Sequence, residues 1–309
     1  MISYQDIEFR SGNSACSGWF FRAKRDQEKP GPCVILAHGF CGVKEACLDA
    51  YAERFADAGY HALVFDYRHF GSSPGSPRQL LDIKKQQQDW HAAISYARAL
   101  AEVDPARIIL WGTSFSGGHV VEVAVKDGKI AAVISQVPHM SGPATVMAAG
   151  TLQGARLGMA AVRDLLRAAA GRRPFYIPAF GRPGELAAMT APGAYEASRR
   201  IFPEDKEVDE SVAARVFLSV PFYSPGRLAA RLSAPWLVQV AEFDQTTPVG
   251  PAAKAAEKTR GAELITYPLG HFDMYVEPHF ERTIGDQLDF LKRRLSGASS
   301  SGNVSAGLV

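Results

Sequence analysis

Long apolar runs are missing from this 309-residue chain: no stretch approaches the ~18 consecutive apolar residues of a membrane span. The first residues, M-I-S-Y-Q-D, lack the basic start and apolar stretch of a secretory signal, so the expectation is a cytoplasmic protein. A surplus of one charge is missing too. Lys and Arg number 34 against 32 Asp and Glu, a net +2, which gives no general electrostatic case for nucleic acid as a partner. Cysteine is scarce: Cys16, Cys33, Cys41 and Cys47 follow no zinc-site spacing, and without a secretory signal they are expected as reduced thiols. Neither H-E-x-x-H nor G-x-x-x-x-G-K-[ST] occurs, no G-x-G-x-x-G follows a strand-like run, and the eight His are scattered. Nothing in the chain calls for a metal or a cofactor. What is present, 47% apolar residues with 28 Gly and 19 Pro, is the composition of an ordinary folded protein with a sizeable core.

The first 140 residues alternate two periodicities. Short apolar runs at 33–37, 62–65, 107–111 and 130–135 read as buried strands. Between them, Leu48, Tyr51, Ala52 and Phe55 follow helical spacing and Gly59 supplies a stop; Trp90, Ala93, Ile94, Ala97 and Leu100 repeat the pattern up to Asp104-Pro105. A third helix is expected over 119–125. Residues 7–9 and 18–22 suggest an antiparallel hairpin at a sheet edge. The same alternation returns at 236–241, 251–260 and 263–267, and a last helix carries Phe280, Ile284, Leu288, Leu291 and Leu295 on one face. Such alternation predicts an α/β protein with a mostly parallel central sheet and helices on both faces.

Residues 141–225 break the alternation. They are rich in Ala, Arg, Pro and Gly, show helical patches and no clear strand, and read as an inserted helical lid over the strand ends. The expected division is a core of 1–140 and 226–295, a lid of 141–225 and a disordered tail of 296–309. Between 151 and 200 the lid carries eight Arg against three acidic residues, and the acidic run E-D-K-E-V-D-E follows at 204–210. Solvated helix faces explain this bias more simply than an anion site does.

Chemistry concentrates in R-I-I-L-W-G-T-S-F-S-G-G-H, residues 107–119. A strand ends, small residues make a sharp turn, and a helix begins: the setting in which a serine hydroxyl is presented on a nucleophile elbow. Gly112 stands two residues before Ser114, but Ser116 stands two after it, which opens a second frame with Ser116 as nucleophile. Upstream, an apolar strand runs into His38-Gly39-Phe40. In this layout the loop after that strand gives one oxyanion-hole N–H and the residue after the nucleophile gives the other, here Phe40 and Phe115. His38 reads as a structural loop residue, and Cys41 as a wall of the hole or a reactive thiol. Downstream, Glu242 and Asp244 follow one strand and His271 follows the next. Ser114, Asp244 and His271 thus stand in the order nucleophile, acid, base.

These motifs identify a resemblance. The chain is similar to the α/β-hydrolases over about 225 residues, and particularly to bacterial serine esterases with H-G-F-x-G-x-K-E and F-D-Y-R-x-F-G-x-S segments, here at 38–45 and 65–72. That group is related to dienelactone-hydrolase-like and acyl-peptidase-like enzymes and to fungal polyketide acyltransferases. The resemblance implies an α/β-hydrolase fold, Ser114 as nucleophile, Asp244 as acid ahead of Pro248, and His271 as base, with Glu242 a second choice for the acid. The expected activity is cleavage of a small carboxylic ester through an acyl-enzyme. A thioesterase or acyltransferase with the same triad is the alternative, and a non-catalytic ligand-binding module the remote one. The expected partner is a small-molecule ester or thioester, with no nucleic acid and no membrane span; a homodimer remains open.

Overall fold

A computed structural model describes residues 4–24, 29–202 and 208–295. The expected tail at 296–309 and residues 204–207 of the acidic run lie outside the described residues. Strands β1 (Tyr4–Ser11) and β2 (Ser14–Phe21) form an antiparallel hairpin that turns at Gly12. Strand β3 (Gly31–Ala37) is buried along its whole length, as a continuous apolar run requires of a central parallel strand. Helix α1 (Leu48–Asp57) buries Leu48, Tyr51, Ala52 and Phe55, the spacing read from sequence. Strand β4 (His61–Phe65) leads to helix α2 (Ile83–Ala99), capped by Asp82, whose carboxylate accepts from the Lys85 N–H. This helix begins earlier than its apolar periodicity suggests because about two turns of mostly Lys and Gln, residues 83–89, separate the cap from Trp90. Strand β5 (Val103–Thr113) takes in Asp104 and Pro105 ahead of its apolar run, helix α3 (Phe115–Asp127) stops at Gly128, and β6 (Ala132–Gln136) follows.

The chain then leaves the sheet. Helices α4 (Gly142–Ala149) and α5 (Thr151–Ala169), strand β7 (Tyr176–Pro178), helix α6 (Ala194–Ser198) and strand β8 (Ser211–Ala213) precede a run of short 3-10 turns. It returns through β9 (Trp236–Ala241), helix α7 (Val249–Glu257), β10 (Ala262–Tyr267) and helix α8 (Phe280–Leu295). The eight-stranded sheet has the order β1-β2-β4-β3-β5-β6-β9-β10, parallel from β4 to β10. Helices α1 and α8 pack together on one face, and α2 packs on α3 across the other. This is the α/β-hydrolase fold. Among the described residues no helix is long and apolar enough to cross a membrane.

Between β6 and β9 one expectation needs correction. That segment contains strands: β7 and β8 pair antiparallel as a separate two-stranded sheet. Three-residue strands are too short to display an alternation, so the sequence carries no periodic signal for them. Buried Asp164 of α5 ties the segment together, accepting from the Phe175 N–H at 2.8 Å and from Arg215 through its N–H at 2.9 Å and Nε at 2.7 Å. Four arginines of this region are spent on ion pairs: Arg215 with Asp164, Arg182 with Glu196, Arg199 with Glu210 and Arg200 with Asp273.

The two signature segments interlock. Lys44 is buried, and its Nζ lies 2.8 Å from Asp66 and 2.9 Å from both Glu45 and the Ser72 hydroxyl. The Lys44 N–H also donates to Asp66 at 2.7 Å. Gly71 has φ 48°, and a Cβ there would lie 2.2 Å from the Asp66 carboxylate. Burial alone would depress the Lys44 pKa, but Asp66 and Glu45 hold it above its ordinary value, so the ammonium is charged. The pair fastens the loop after β3 to the end of β4. Removing one partner strands a buried charge, so Asp66→Ala should cost about 3–5 kcal/mol in urea unfolding; a loss below about 1 kcal/mol would place the pair among interactions of surface strength.

Candidate active site

The turn between β5 and α3 brings Ser114 to the strand ends at φ 55° and ψ −120°. Its N–H donates to the Gln136 carbonyl at 2.9 Å, and its own carbonyl accepts from Gly117 at 3.0 Å and His139 at 2.8 Å. The turn is tight in itself, and two other segments crowd it. A Cβ at Gly112 would lie 2.3 Å from the Ser116 carbonyl oxygen, one at Gly118 would lie 2.3 Å from the His139 carbonyl oxygen, and one at Gly39 would meet the Ser114 Cβ at 2.8 Å. Such approaches leave room for nothing larger than glycine. The position after the elbow tolerates serine because the Ser116 hydroxyl turns inward, 2.7 Å from the Tyr67 hydroxyl, which accepts from Trp90 Nε1 at 2.7 Å. Ser116 is buried and lines neither cavity at Ser114, whereas Ser114 lines both.

The loops after β9 and β10 bring Asp244 and His271 together, with Nδ1 of the imidazole 2.7 Å from Oδ2 of the carboxylate. Asp244 also accepts at Oδ1 from the N–H groups of Thr246 and Thr247, each at 2.8 Å, and its Oδ2 lies 2.7 Å from the Thr247 hydroxyl. Burial pushes the carboxyl pKa up, but the His271 charge and these donors outweigh it and hold Asp244 below the ordinary aspartate value. Glu242, the second choice for the acid, is exposed. The role of Thr247 is a finding of the structure; the hydroxyls of Q-T-T-P after the carboxylate are its one signal in the sequence.

Phe40 and Phe115 face each other edge-on, with ring centroids 5.7 Å apart. The Phe115 N–H is the first of α3 and so has no acceptor within the helix. His38 is buried, with Nδ1 2.9 Å from the Gly39 carbonyl and Nε2 3.8 Å from Asp66. Burial lowers its pKa despite Asp66, which makes it a neutral loop residue. Cys41 corrects an expectation: it is fully buried and lines no part of the cavity, and burial pushes its thiol well above the ordinary range, so it is neither wall nor reactive thiol.

Ser114 and His271 open onto a cavity of about 30 Å³ walled by Phe40, Phe180, Met189, Ile201, Phe202 and Tyr275, among others. That space holds water but no acyl chain. On the other side of Phe40 a second cavity of about 60 Å³ is lined by Ser114, Phe115, His139, Thr145, Met189 and Thr247, among others. It leads past Thr145, Ala188, Met189 and Thr246 into an open mouth of about 420 Å³. Burial pushes the His139 pKa down to about 4, so its ring is neutral near pH 7. Neither cavity is lined by a carboxylate, lysine or arginine. Among the described residues no group of three or more His, Cys, Asp or Glu could hold a metal ion.

A depressed folded-state pKa means that the Asp244 carboxylate stabilises the fold above the unfolded aspartate value and stops doing so as pH falls through the folded one. Asp244→Asn should therefore melt below wild type at pH 7, with the gap closing below about pH 4. Thermal melts across pH 2–7 check this; a gap that widens on acidification would contradict it.

The protein-family profile described as "Serine aminopeptidase, S33" matches residues 28–279. The chain is 42% identical over 288 residues to the quorum-quenching protein AidA of Acinetobacter baumannii, covering 93% of this chain and 94% of that protein. It is 32% identical over 209 residues to the polyketide transferase ATR5 of Stachybotrys chlorohalonatus, covering 66% of this chain and 65% of that one. The crystal structure of the α/β hydrolase GrgF from Penicillium sp. sh18 superposes with a TM-score of 0.80 at 24% identity, over 95% of this chain and 99% of that one.

Proposed function

We propose, for a chain that belongs to the serine aminopeptidase S33 family of α/β hydrolases, that Ser114 attacks the carbonyl carbon of a small, uncharged ester or thioester. His271 takes the hydroxyl proton as the Oγ–carbon bond forms, and Asp244 fixes the imidazole tautomer and balances the cation. The N–H groups of Phe40 and Phe115 receive the developing oxyanion. The imidazolium then gives its proton to the departing alkoxide or thiolate as the carbon–oxygen or carbon–sulfur bond breaks. Water deprotonated by His271 attacks the acyl-enzyme and releases the acid, returning the proton to Ser114.

The observation that carries this reading is the lining of the two cavities: an Asp244-braced imidazole and a serine in otherwise uncharged surroundings. An aminopeptidase has to meet a free, cationic amino terminus, and no carboxylate lines either cavity to receive one. The same neutrality argues against an anionic substrate, despite the arginines of the insertion. The relative named for quorum quenching supports a small signalling molecule with an ester, lactone or thioester carbonyl. The tightness of the serine-side cavity and the relative named a polyketide transferase favour a second reading, in which an alcohol replaces water in the deacylation step. The insertion between β6 and β9 acts here as a lid whose side chains must move before an acyl chain enters.

Rates on p-nitrophenyl esters, acyl thioesters, an N-acyl lactone and aminoacyl p-nitroanilides test the proposal. Ester, lactone or thioester turnover should fall on the order of 10⁴-fold or more in Ser114→Ala. Anilide rates exceeding ester rates, or a Ser114→Ala enzyme within tenfold of wild type, would overturn it.

Met189 lines the serine-side cavity, the second cavity and the mouth alike. Its backbone is fixed, donating to Ala179 at 2.9 Å and accepting from Gly181 at 3.0 Å, while its unbranched side chain can adapt. Met189→Ala should merge the three spaces and shift the ratio of kcat/KM for octanoyl over acetyl esters upward several-fold. An unchanged acyl-length profile would show that this side chain does not partition the substrate site.

A further inference from the structure

Helix α5 has two faces of opposite fate. Gln153, Leu157, Ala160, Ala161 and Asp164 are buried within the insertion. On the outer face, Leu152, Ala155, Met159, Val162, Leu166 and Ala169 alternate three- and four-residue steps, the a/d spacing of a helix-packing seam. All six are exposed, Leu152 and Met159 by 66%, Leu166 by 65% and Val162 by 48%. Helix α4 extends the patch with Met147, which is 78% exposed, and with Val146, whose Cγ1 lies 3.8 Å from where a Cβ on Gly154 would be. Together these large side chains form one exposed apolar patch spanning two helices, unlike the singly scattered hydrophobics of an ordinary surface.

We propose that a second copy of this chain covers this face, α5 packing antiparallel on α5 about a two-fold axis near Met159. The seam is self-complementary. Leu152 and Leu166 lie one heptad to either side of Met159, so reversal sets Leu152 of one protomer against Leu166 of its partner and Met159 against Met159. Arg156, Arg163 and Arg167 flank the stripe on one side, but each head is drawn back onto its own chain. Arg156 donates to the Gly184 carbonyl at 2.9 Å, Arg163 stacks over Phe175 at 4.1 Å and Arg167 donates to the Arg173 carbonyl at 2.7 Å. The one acid of α5, Asp164, is buried on Arg215. Apolar contact therefore carries the association, unlike docking on an acidic protein or anionic membrane, which would depend on those arginines being free.

Sedimentation velocity of the full chain at micromolar concentration, in 0.1 and 1 M salt, tests the proposal. Wild type should sediment as a dimer at both, and Met159→Glu and Leu166→Glu should each be monomers with unchanged circular dichroism. Leu264→Glu, at an exposed leucine of β10, should remain dimeric. A monomeric wild type, or a dimer indifferent to both α5 substitutions, would overturn it. So would a monomer that co-sediments with phosphatidylglycerol vesicles only while Met159 is intact, which would assign the face to a membrane surface.

Discussion

One backbone conformation governs the site. Ser114 sits at φ 55°, where an L-residue pays about 1–3 kcal/mol, and the chain around it is arranged so that no other conformation fits. Glycines at 39, 112 and 118 let neighbouring backbone close in to distances at which a methyl group would collide. The end of β6 and the loop after it supply the restraint, since the Gln136 carbonyl accepts from the serine's N–H and the His139 N–H donates to its carbonyl. Val137 between them is itself left-handed, at φ 39°, a rare state for a β-branched residue. Its N–H is held by Gln239 of β9, and its carbonyl lies 3.0 Å from the Thr247 hydroxyl, which also reaches Asp244. A continuous run of hydrogen bonds thus links the elbow to the loop that carries the carboxylate.

Buried polar groups support this arrangement from two directions. On one side Lys44 and Asp66 secure the loop that carries Phe40. On the other, Gln287 of α8 accepts from Trp111 Nε1 at 2.9 Å and donates to Gln239 at 2.7 Å and Gln136 at 3.1 Å. Side chains from β5, β6 and β9, the strands whose ends carry the site, are thereby joined beneath it. Networks of this kind favour one geometry, because each donor left unmet in a dry interior costs about 1–3 kcal/mol; here the Gln136 Nε2 is such a donor, buried with no partner among the described residues. The insertion is built differently: Phe180, Met189, Ile201 and Phe202 wall the cavity through apolar contact, which can be remodelled without breaking a polar network. A braced floor beneath an apolar roof is the arrangement the proposed chemistry on varied acyl groups would require.

The core was legible because its signals are strong and periodic. Buried parallel strands are continuous apolar runs, α1 and α8 display their faces at helical spacing, and Gly112, Ser114 and Gly118 advertise a crowded turn. The Asp244–His271 contact was legible from chain order and from the strands the two residues follow, with the family resemblance placing the acid at Asp244 ahead of Glu242. Harder to see were features that depend on packing across the fold. Ser116 left two frames open until its bond to Tyr67, 49 positions away, turned it inward. Cys41 looked poised beside the loop, yet it is fully buried and lines no part of the cavity. The pairing of β7 with β8 and the closure of the insertion by Asp164 come from residues with no shared period, so no local pattern reports them. Met189 carries no motif at all; only the meeting of three cavities singles it out.

Everything proposed for the site turns on the strained Ser114, and not its neighbour Ser116 in the helix, performing the chemistry. Reaction with a fluorophosphonate followed by peptide mapping locates the covalent adduct on a single side chain. One adduct is expected, on Ser114, formed in wild type and Ser116→Ala and absent in Ser114→Ala. An adduct on Ser116, or folded and accessible wild-type protein that stays unlabelled, would contradict it.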